Sequence, residues 1–211
     1  MAVGLGTGST VFYTLERLAE RIRQDGLSIR GVPTSLDTAQ KAEELGIPLV
    51  GLEAVERLAL TIDGADEVDP DFQLVKGGGG ALLREKVVAS ITEREVIVVG
   101  EAKLVERLGR SFLLPVELVP FARPTVARAL KALGCEPILR LDGPKQPYVT
   151  DNGNEILDCR FPGGIADPRA LERNLAGIPG LVESGLFIDL AHVLVIGRED
   201  GSTEVRKRPR G

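Results

Sequence analysis

The stretch AVGLGTGSTVFYTLERLAERIR, residues 2–23, decides the fold of this chain. Residues 2–5 form an apolar run, a glycine-rich turn follows, and the apolar side chains of residues 11–23 recur at helical spacing on one face. Over the first hundred or so residues, short β-branched runs keep alternating with such amphipathic segments. This alternation is typical of βαβ units, so the sequence predicts an α/β fold built on a mostly parallel sheet.

The other elements are predicted in the same way. Further strands are expected at residues 28–32, 59–62, 73–75 and 96–99, and further helices at residues 36–45 and 81–91. After about residue 115 the pattern changes to a small α+β unit that contains an antiparallel meander with polar turns. Its helices are expected at residues 123–133 and 168–175, and its strands at residues 136–141, 147–150, 155–161 and 185–189. The apolar run of residues 192–196 is assigned back to the first sheet, and the tail, residues 206–211, is expected to be a frayed end.

The bulk composition restricts the class of protein. The chain has 211 residues, with 26 Lys and Arg against 31 Asp and Glu, and its formal net charge of −5 argues against a dedicated nucleic-acid binder. Its two cysteines, Cys135 and Cys159, have no CxxC spacing, so neither a disulfide framework nor a zinc site is expected. No apolar run reaches the ~18 residues that a membrane span needs. We therefore expect a cytoplasmic protein that binds neither nucleic acid nor membranes.

The glycine-rich turn GLGTGST, residues 4–10, is the first candidate site. A turn from strand to helix presents backbone N–H groups and a helix N-terminus to an anion. Thr7, Gly8, Ser9 and Thr10 supply the amide and hydroxyl donors of this turn. Phosphate is the ligand that suits such donors. The alternative is a purely structural turn in which Ser9 or Thr10 caps the helix.

Two common nucleotide motifs do not fit this turn. A P-loop ends in GK[ST], but the turn has no lysine, and Val11 stands where a dinucleotide-binding fold needs its third glycine. A second group of hydroxyls, Thr34, Ser35 and Thr38, follows the second predicted strand and suggests more donors at the same edge of the sheet. The alternative is that Ser35 or Asp37 only caps a helix.

An acidic stretch, DGADEVD at residues 63–69, comes directly after the third predicted strand. With Asp71 it places five acids within nine residues, and acids at the carboxyl end of a parallel strand reach the ligand crevice of such a sheet. The order of acids in a calcium-binding EF-hand loop is absent. Asp63 and Asp66 lie nearest the strand end and are the ones expected to face the site, while some of the others are expected in a solvated loop.

The stretch KGGGGALLREK, residues 76–86, is the last candidate. Successive glycines let the backbone pass close to a ligand and allow their amides to converge on one oxygen, as in an oxyanion hole. Lys76 adds a positive charge, and Glu85 in the following helix is a candidate general base. The loop glycines assigned to the site are Gly77, Gly78 and Gly79. The alternative is that the triplet REK is only the solvated face of a helix.

Taken together, these stretches describe proton abstraction next to a carbonyl group. They supply a phosphate-binding turn, a lysine, a glycine run and carboxylates, with no metal-ligand spacing and a single histidine, His192. Hydride or phosphoryl transfer would each need a cofactor motif that the sequence lacks. The sequence therefore predicts an isomerase of a small phosphorylated sugar that uses no metal and no cofactor.

These motifs, together with the downstream GEAK and TDNGN, resemble the type A ribose-5-phosphate isomerase family in order from residue 2 to about residue 205. The resemblance implies metal-free interconversion of D-ribose 5-phosphate and D-ribulose 5-phosphate through an enediolate. It implies that Glu85 is the general base and that Asp63 and Asp66 assist ring opening and handle hydroxyl protons. It also implies that Lys76 lies beside the developing oxyanion, that Lys103 contacts the substrate, and that GLGTGST binds the phosphate.

The resemblance further implies two domains. A Rossmann-like catalytic domain would comprise residues 1–117 plus 191–211, and a smaller ferredoxin-like α+β domain, residues 118–190, would serve oligomer contacts in a homodimer or homotetramer. Family members usually carry a further helix of about twenty residues before the first strand, whereas Met1 here almost begins that strand. A start assigned too late, a trimmed chain, and a protein that does without the helix all stay open as explanations.

Two functions of other kinds are the alternatives. A sugar-phosphate-sensing domain would keep the phosphate-binding turn but would need no general base, and a coenzyme A transferase would use a covalent glutamate. The presence of Glu85, Asp63, Asp66 and Lys76 favours the isomerase.

Overall fold

The computed structural model describes residues 1–209, and these form two compact units. The first unit comprises Met1–Ala65, Arg84–Glu101 and the chain from Leu190 to the last described residue. The second comprises Asp66–Leu83 and Ala102–Asp189. The helices are α1 (Ser9–Asp25), α2 (Leu36–Glu44), α3 (Leu82–Ser90), α4 (Arg123–Ala132) and α5 (Pro168–Ala176). The strands are β1 (Ala2–Leu5), β2 (Arg30–Pro33), β3 (Leu60–Asp63), β4 (Glu67–Val68), β5 (Leu74–Val75), β6 (Glu95–Gly100), β7 (Leu114–Leu118), β8 (Glu136–Leu139), β9 (Glu155–Arg160), β10 (Leu181–Ser184), β11 (Leu186–Phe187), β12 (Val193–Gly197) and β13 (Thr203–Lys207).

The first unit is built on a six-stranded sheet of order β13-β12-β6-β3-β1-β2. Every neighbouring pair is parallel except β12 with β13. Strand β1 pairs with β2 on one side and β3 on the other, with Leu5 opposite both Pro33 and Ile62. The strand order therefore reverses at β1, and open α/β sheets bind ligands outside the carboxyl ends of their strands at such a point.

Helix α1 covers one part of this sheet because one of its faces carries apolar side chains at helical spacing. Val11, Leu15 and Ala19 are buried in a core with Val3 and Leu5 of β1. Each buried Val or Leu side chain contributes roughly 1.5–3 kcal/mol relative to exposure. The helix ends at Gly26, whose φ of 66° is the left-handed conformation that glycine adopts without strain.

The second unit contains a four-stranded antiparallel sheet of order β10-β7-β9-β8. Its elements follow the chain as β7-α4-β8-β9-α5-β10, which is the ferredoxin-like succession of strands and helices. A separate three-stranded sheet has the order β11-β5-β4. The helices and the four-stranded sheet bury one core, whose central side chains include Leu114, Val116, Leu118, Val126, Leu130, Leu157, Leu171 and Leu175.

The structure confirms the predicted fold class, a mostly parallel Rossmann-like sheet with a smaller ferredoxin-like unit. The division of the chain differs from the expected one, because residues 66–83 and 102–117 lie in the second unit. Strands β4 and β5 pair with β11 rather than with the parallel sheet, and β7 is an inner strand of the antiparallel sheet. Among residues 1–209, no helix is long and apolar enough to cross a membrane.

Three element predictions were wrong. Residues 147–150 form no strand, since only an isolated bridge joins Leu141 to Pro147. The strand expected at residues 185–189 starts earlier and is broken at Gly185, where an added Cβ would lie 2.2 Å from the carbonyl oxygen of Lys76. The supposed frayed tail is ordered as far as Lys207, because β13 pairs with β12 through main-chain bonds that its charged side chains do not reveal. Arg210 and Gly211 lie outside the described residues.

Candidate active site

The predicted site residues belong to both compact units, and each unit holds its own set. In the first unit, four hydroxyl side chains form a hydroxyl cluster, which consists of Thr7, Thr34, Ser35 and Thr38. The Thr7 Oγ1 atom lies 2.8 Å from Thr34 Oγ1, 2.9 Å from Ser35 Oγ and 3.2 Å from Thr38 Oγ1. The cluster joins the turn after β1 to the turn after β2, and the structure thus brings together two groups of hydroxyls that were predicted separately.

The hydrogen bonds of the hydroxyl cluster have a direction. Thr7 donates to Ser35, Ser35 donates to Thr38, and Thr38 donates to the Gly6 carbonyl at 2.8 Å. Ser35 also caps α2 by accepting the Thr38 N–H at 3.0 Å, so the capping interpretation of Ser35 is correct as well. The Thr7 hydroxyl already donates its proton to Ser35, so it stabilises the turn. It can only accept a further hydrogen bond.

The start of α1 leaves its amide groups available. Gly8 is the N-cap residue, with φ 116° and no side-chain capping bond, so the alternative in which Ser9 or Thr10 caps the helix is wrong. Gly8, Ser9 and Thr10 are all exposed. The first N–H groups of a helix have no partner within it, and the helix dipole makes them attractive to anions. This 17-residue helix therefore presents amides and two hydroxyls that suit a phosphate group.

Asp63 ends β3 and is 1% exposed. Its Oδ1 atom accepts the N–H groups of Thr7 at 3.1 Å and Gly64 at 2.7 Å. Gly6 makes this approach possible, since an added Cβ there would lie 2.1 Å from the same Oδ1. The Asp63 carboxylate is consequently fixed to the glycine-rich turn of residues 4–10.

Glu85 lies in the first turn of α3 and is 5% exposed. Its neighbours Arg84 and Lys86 are half-buried. The interpretation of the REK triplet as a solvated helix face is therefore wrong for Glu85. A carboxylate that is shielded from bulk water and carried on a helix has the rigidity that a proton-transfer group needs.

In the second unit, residues 77–80 form the glycine loop. Gly77 and Gly80 have φ values of 104° and 78°, which are strained for other residues. The Gly78 N–H donates to Asp66 Oδ2 at 2.8 Å, and the Gly80 N–H donates to the Gly77 carbonyl at 3.0 Å. The expectation that the amides of the loop converge on one oxygen is thus wrong for the N–H groups of Gly78 and Gly80. Gly78 and Gly79 are exposed on the surface of the loop.

The two predicted lysines differ in burial. Lys76 is 3% exposed, and its Nζ atom lies 5.5 Å from the centroid of the Phe187 ring. Lys103 is exposed on a 3₁₀ turn, and its Nζ atom lies 6.0 Å from the Phe112 ring centroid. A cation over an aromatic face gains an electrostatic attraction that limits where it can move. Lys76 is the more rigidly held of the two charges.

The remaining acids of DGADEVD are not simply solvated. Glu67 is buried, and its carboxylate accepts the N–H groups of Gly109, Ser111 and Phe112 at 2.5, 2.6 and 2.8 Å. Asp69 accepts two N–H groups of its own turn, and burial raises the pKa of this carboxyl. Of the five acids, Asp71 is the one that is exposed.

Sequence reasoning missed three residues that hold the glycine loop. Arg140 forms an ion pair with Asp158 and donates to the carbonyls of Gly77 and Gly78. The Tyr148 hydroxyl lies 3.4 Å from the Gly79 carbonyl, and burial raises the pKa of this phenol, which keeps it protonated as a donor. These three residues lie more than 60 residues from the glycine loop in the chain and belong to no local motif. Only information on which distant residues contact each other could have identified them.

The chain is similar to known proteins over almost its whole length. The profile of the family described as ribose 5-phosphate isomerase A (phosphoriboisomerase A) matches residues 30–201. Ribose-5-phosphate isomerase A of Thermosynechococcus vestitus is 51% identical over 210 residues, covering 98% of this chain and 89% of that protein. The protein of the same name from Roseiflexus castenholzii is 52% identical over 206 residues, covering 97% of this chain and 88% of its own length.

Solved structures agree with these relatives. Ribose 5-phosphate isomerase A from Methanocaldococcus jannaschii has a TM-score of 0.92 and 39% identity, covering 98% of this chain and 91% of that chain. A D-ribose-5-phosphate isomerase in complex with phospho-erythronic acid has a TM-score of 0.94 and 38% identity, covering 99% of this chain and 91% of that chain.

Proposed function

The chain belongs to the ribose 5-phosphate isomerase A family, and from this premise we propose how its residues interconvert D-ribose 5-phosphate and D-ribulose 5-phosphate. The reaction breaks the C2–H bond of the open-chain aldose, passes through an enediolate and forms a C–H bond at C1. The carbonyl moves from C1 to C2, so the oxidation of one carbon balances the reduction of the other. The chemistry needs no external oxidant or reductant, in keeping with the expectation of no cofactor.

The start of α1 is proposed to hold the phosphate. Its exposed Gly8, Ser9 and Thr10 offer amides and hydroxyls at the positive end of the helix dipole. The hydroxyl cluster supports this turn from within, and Ser35 and Thr38 act there through Thr7. Lys103, exposed on its own turn, is proposed as a further contact to the anionic substrate.

Glu85 is proposed to be the general base, and its burial in the first turn of α3 is the observation that carries this assignment. A positioned carboxylate can take the C2 proton and return it to C1. Because both carbons belong to one enediolate, one carboxylate can serve both steps.

Lys76, Asp63 and Asp66 are proposed to act on the oxygen atoms of the substrate. The Lys76 ammonium group, fixed near Phe187, stabilises negative charge on the enediolate oxygen. Asp63 and Asp66 assist ring opening and transfer the hydroxyl protons. Gly77, Gly78 and Gly79 are proposed to line the substrate's path, with Gly78 and Gly79 exposed on the surface of the loop.

A cytoplasmic location and a homo-oligomeric assembly are proposed from the state of the cysteines and from one exposed aromatic side chain. The two cysteines, Cys135 and Cys159, are free thiols, as is usual in a reducing cytoplasm. The Phe121 side chain is 95% exposed, and we propose it as a contact in a homodimer or homotetramer because aromatic side chains are enriched at protein interfaces. Sedimentation of the full chain and of Phe121→Ser tests this: a lower mass for the variant is expected, and an unchanged mass contradicts the role of Phe121.

The proposed phosphate site is tested by comparing two substrates on the purified full chain. We expect kcat/KM for ribose 5-phosphate to exceed that for unphosphorylated ribose by at least about 10³-fold, because binding of a remote phosphate assists the reacting centre. Similar values for both sugars would contradict the phosphate site. Tight binding of ribose 5-phosphate without conversion would instead indicate a sensor and contradict the proposed reaction.

A further inference from the structure

We propose that Arg140, held by Asp158, is a positioning residue that fixes the glycine loop and, through one peptide group of that loop, the Asp66 carboxylate. This inference rests on the proposed function, since it concerns residues assigned there to the substrate oxygens. All of its residues lie in the second compact unit.

The Arg140–Asp158 pair has the two-point geometry of a strong ion pair. Arg140 Nε lies 2.9 Å from Asp158 Oδ2, and Arg140 Nη2 lies 2.5 Å from Asp158 Oδ1. Their side chains are only 14% and 18% exposed. A bidentate, largely buried pair fixes the plane of the guanidinium group, whereas an exposed pair contributes little. The remaining nitrogen, Nη1, is therefore presented in a defined direction.

That nitrogen is used on the glycine loop. Arg140 Nη1 donates to the Gly77 carbonyl at 2.9 Å and to the Gly78 carbonyl at 3.2 Å. The Gly77 carbonyl also accepts the Gly80 N–H at 3.0 Å, which closes the turn. One cation thus contacts the carbonyl ends of two successive peptides in a segment whose glycines have more backbone freedom than other residues.

The peptide between Gly77 and Gly78 connects Arg140 to Asp66. Its carbonyl accepts from Arg140, and its N–H donates to Asp66 Oδ2 at 2.8 Å. In a trans peptide these two groups point in opposite directions, so a cation and a carboxylate lie at its two ends. Each hydrogen bond polarises the peptide in the sense that strengthens the other. Arg140 therefore strengthens and orients the contact that holds Asp66.

The next peptide extends the effect. Because the Gly78 carbonyl points toward Arg140, the Gly79 N–H points away from it, on an exposed residue. Tyr148 contacts the following carbonyl, that of Gly79, and its ring lies 5.7 Å from the Arg140 guanidinium carbon. An added Cβ at Gly80 would lie 2.1 Å from the Tyr148 hydroxyl. Three successive carbonyls are thus turned toward side chains from residues 140–148.

Lysine would not replace Arg140 in this role. The guanidinium group carries five N–H donors in a rigid plane, and here it serves a bidentate carboxylate and two carbonyls at once. An ammonium group has three donors on one atom and cannot span these acceptors. Arg140→Lys should therefore retain the positive charge and lose most of the positioning.

The test compares Arg140→Met with Arg123→Met, a matched control. Arg123 pairs with Glu155 at 3.2 Å in the same unit and has no hydrogen bond to the glycine loop among residues 1–209. We expect Arg140→Met to lower kcat for ribose 5-phosphate by about 10²-fold with KM changed much less, because small displacements of reacting groups have effects of this size. Arg123→Met should keep kcat within about twofold.

Hydrogen–deuterium exchange gives a readout that does not depend on turnover. The amides of residues 77–80 should exchange faster in Arg140→Met and Asp158→Asn than in the wild type and Arg123→Met. Added guanidinium ion should partly restore kcat in Arg140→Ala and should not do so in Glu85→Gln. If Arg140→Met is too unstable, Arg140→Lys and Asp158→Asn provide the same comparison.

Two results would overturn the inference. One is an Arg140→Met protein, folded by circular dichroism, with wild-type kcat and wild-type exchange in the loop. The other is an equal loss of kcat in Arg140→Met and Arg123→Met, which would indicate a general effect on the sheet. A wild-type chain without isomerase activity would contradict the proposed function instead, and loop exchange alone would then decide whether Arg140 fixes the loop.

Discussion

The hydroxyl cluster of the first unit and the glycine loop of the second are held by different kinds of interaction. Thr7, Thr34, Ser35 and Thr38 support one another through neutral hydrogen bonds, all within the first two βα connections of the chain. The glycine loop has no side chains of its own and is held by ionised groups, Asp66 on one side and the Arg140–Asp158 pair on the other. Neutral networks tolerate small changes better than buried charged ones.

This contrast shows which parts of the candidate site can be recognised from the sequence. The supports of the hydroxyl cluster follow strand ends that hydrophobic patterns already predict, so the cluster is visible as GLGTGST and PTSLDT. The supports of the glycine loop come from another part of the chain. The difference also predicts that substitutions around the glycine loop should have the larger effects.

The largest effect on stability is expected at Glu67. Its buried carboxylate accepts three N–H groups of residues 109–112, and Phe112 of that turn lies beside Gly78. Glu67→Gln replaces one accepting oxygen by an NH₂ group, so we expect the free energy of unfolding to fall by about 3 kcal/mol. Urea unfolding measures this, with exposed Glu106→Gln as the control. A loss equal to that of the control would show that the Glu67 carboxylate does not stabilise the turn of residues 109–112.

A smaller effect is expected where the hydroxyl-bearing turn meets Asp63. Gly6→Ala would place a Cβ 2.1 Å from Asp63 Oδ1 and 2.6 Å from its Cα, so the backbone must shift. We expect a loss of about 2 kcal/mol in unfolding free energy and weaker binding of ribose 5-phosphate. Gly100→Ala is the matched variant, since its added Cβ would meet nothing within 4 Å. Equal stability of the two variants would show that the turn is not closely packed.

The smallest effect is expected inside the hydroxyl cluster. Thr7→Val keeps the shape of the side chain and removes the hydroxyl that contacts three others. Because those hydroxyls retain further partners, we expect a loss of only about 1 kcal/mol and a higher KM for ribose 5-phosphate. Thr7→Ser should recover most of both. If Thr7→Val lowered the free energy of unfolding more than Glu67→Gln, the hydroxyl cluster would be the more sensitive of the two regions, contrary to this expectation.

Particular elements show how far the sequence can be taken. The alternating pattern correctly predicts β1, α1 and the return of β12 to the first sheet, because each follows from local hydrophobic periodicity. It fails at β13 and at residues 147–150, where pairing rather than pattern decides the conformation. In the candidate site, the triplet REK does not by itself show whether Glu85 is buried or solvated, because burial depends on tertiary contacts. Arg140 and Asp158 are isolated charges in the sequence and acquire a meaning only when folding brings them to the glycine loop.

The assignment of Glu85 as the general base is tested most directly by turnover of ribose 5-phosphate in Glu85→Gln, with exposed Glu16→Gln as the control for loss of a carboxylate. We predict that kcat falls by about 10²–10⁴-fold in Glu85→Gln while ribose 5-phosphate still binds, because the amide keeps the shape of the side chain and cannot accept the proton. Glu16→Gln should behave as the wild type. Near-normal turnover by a folded Glu85→Gln protein would contradict the account.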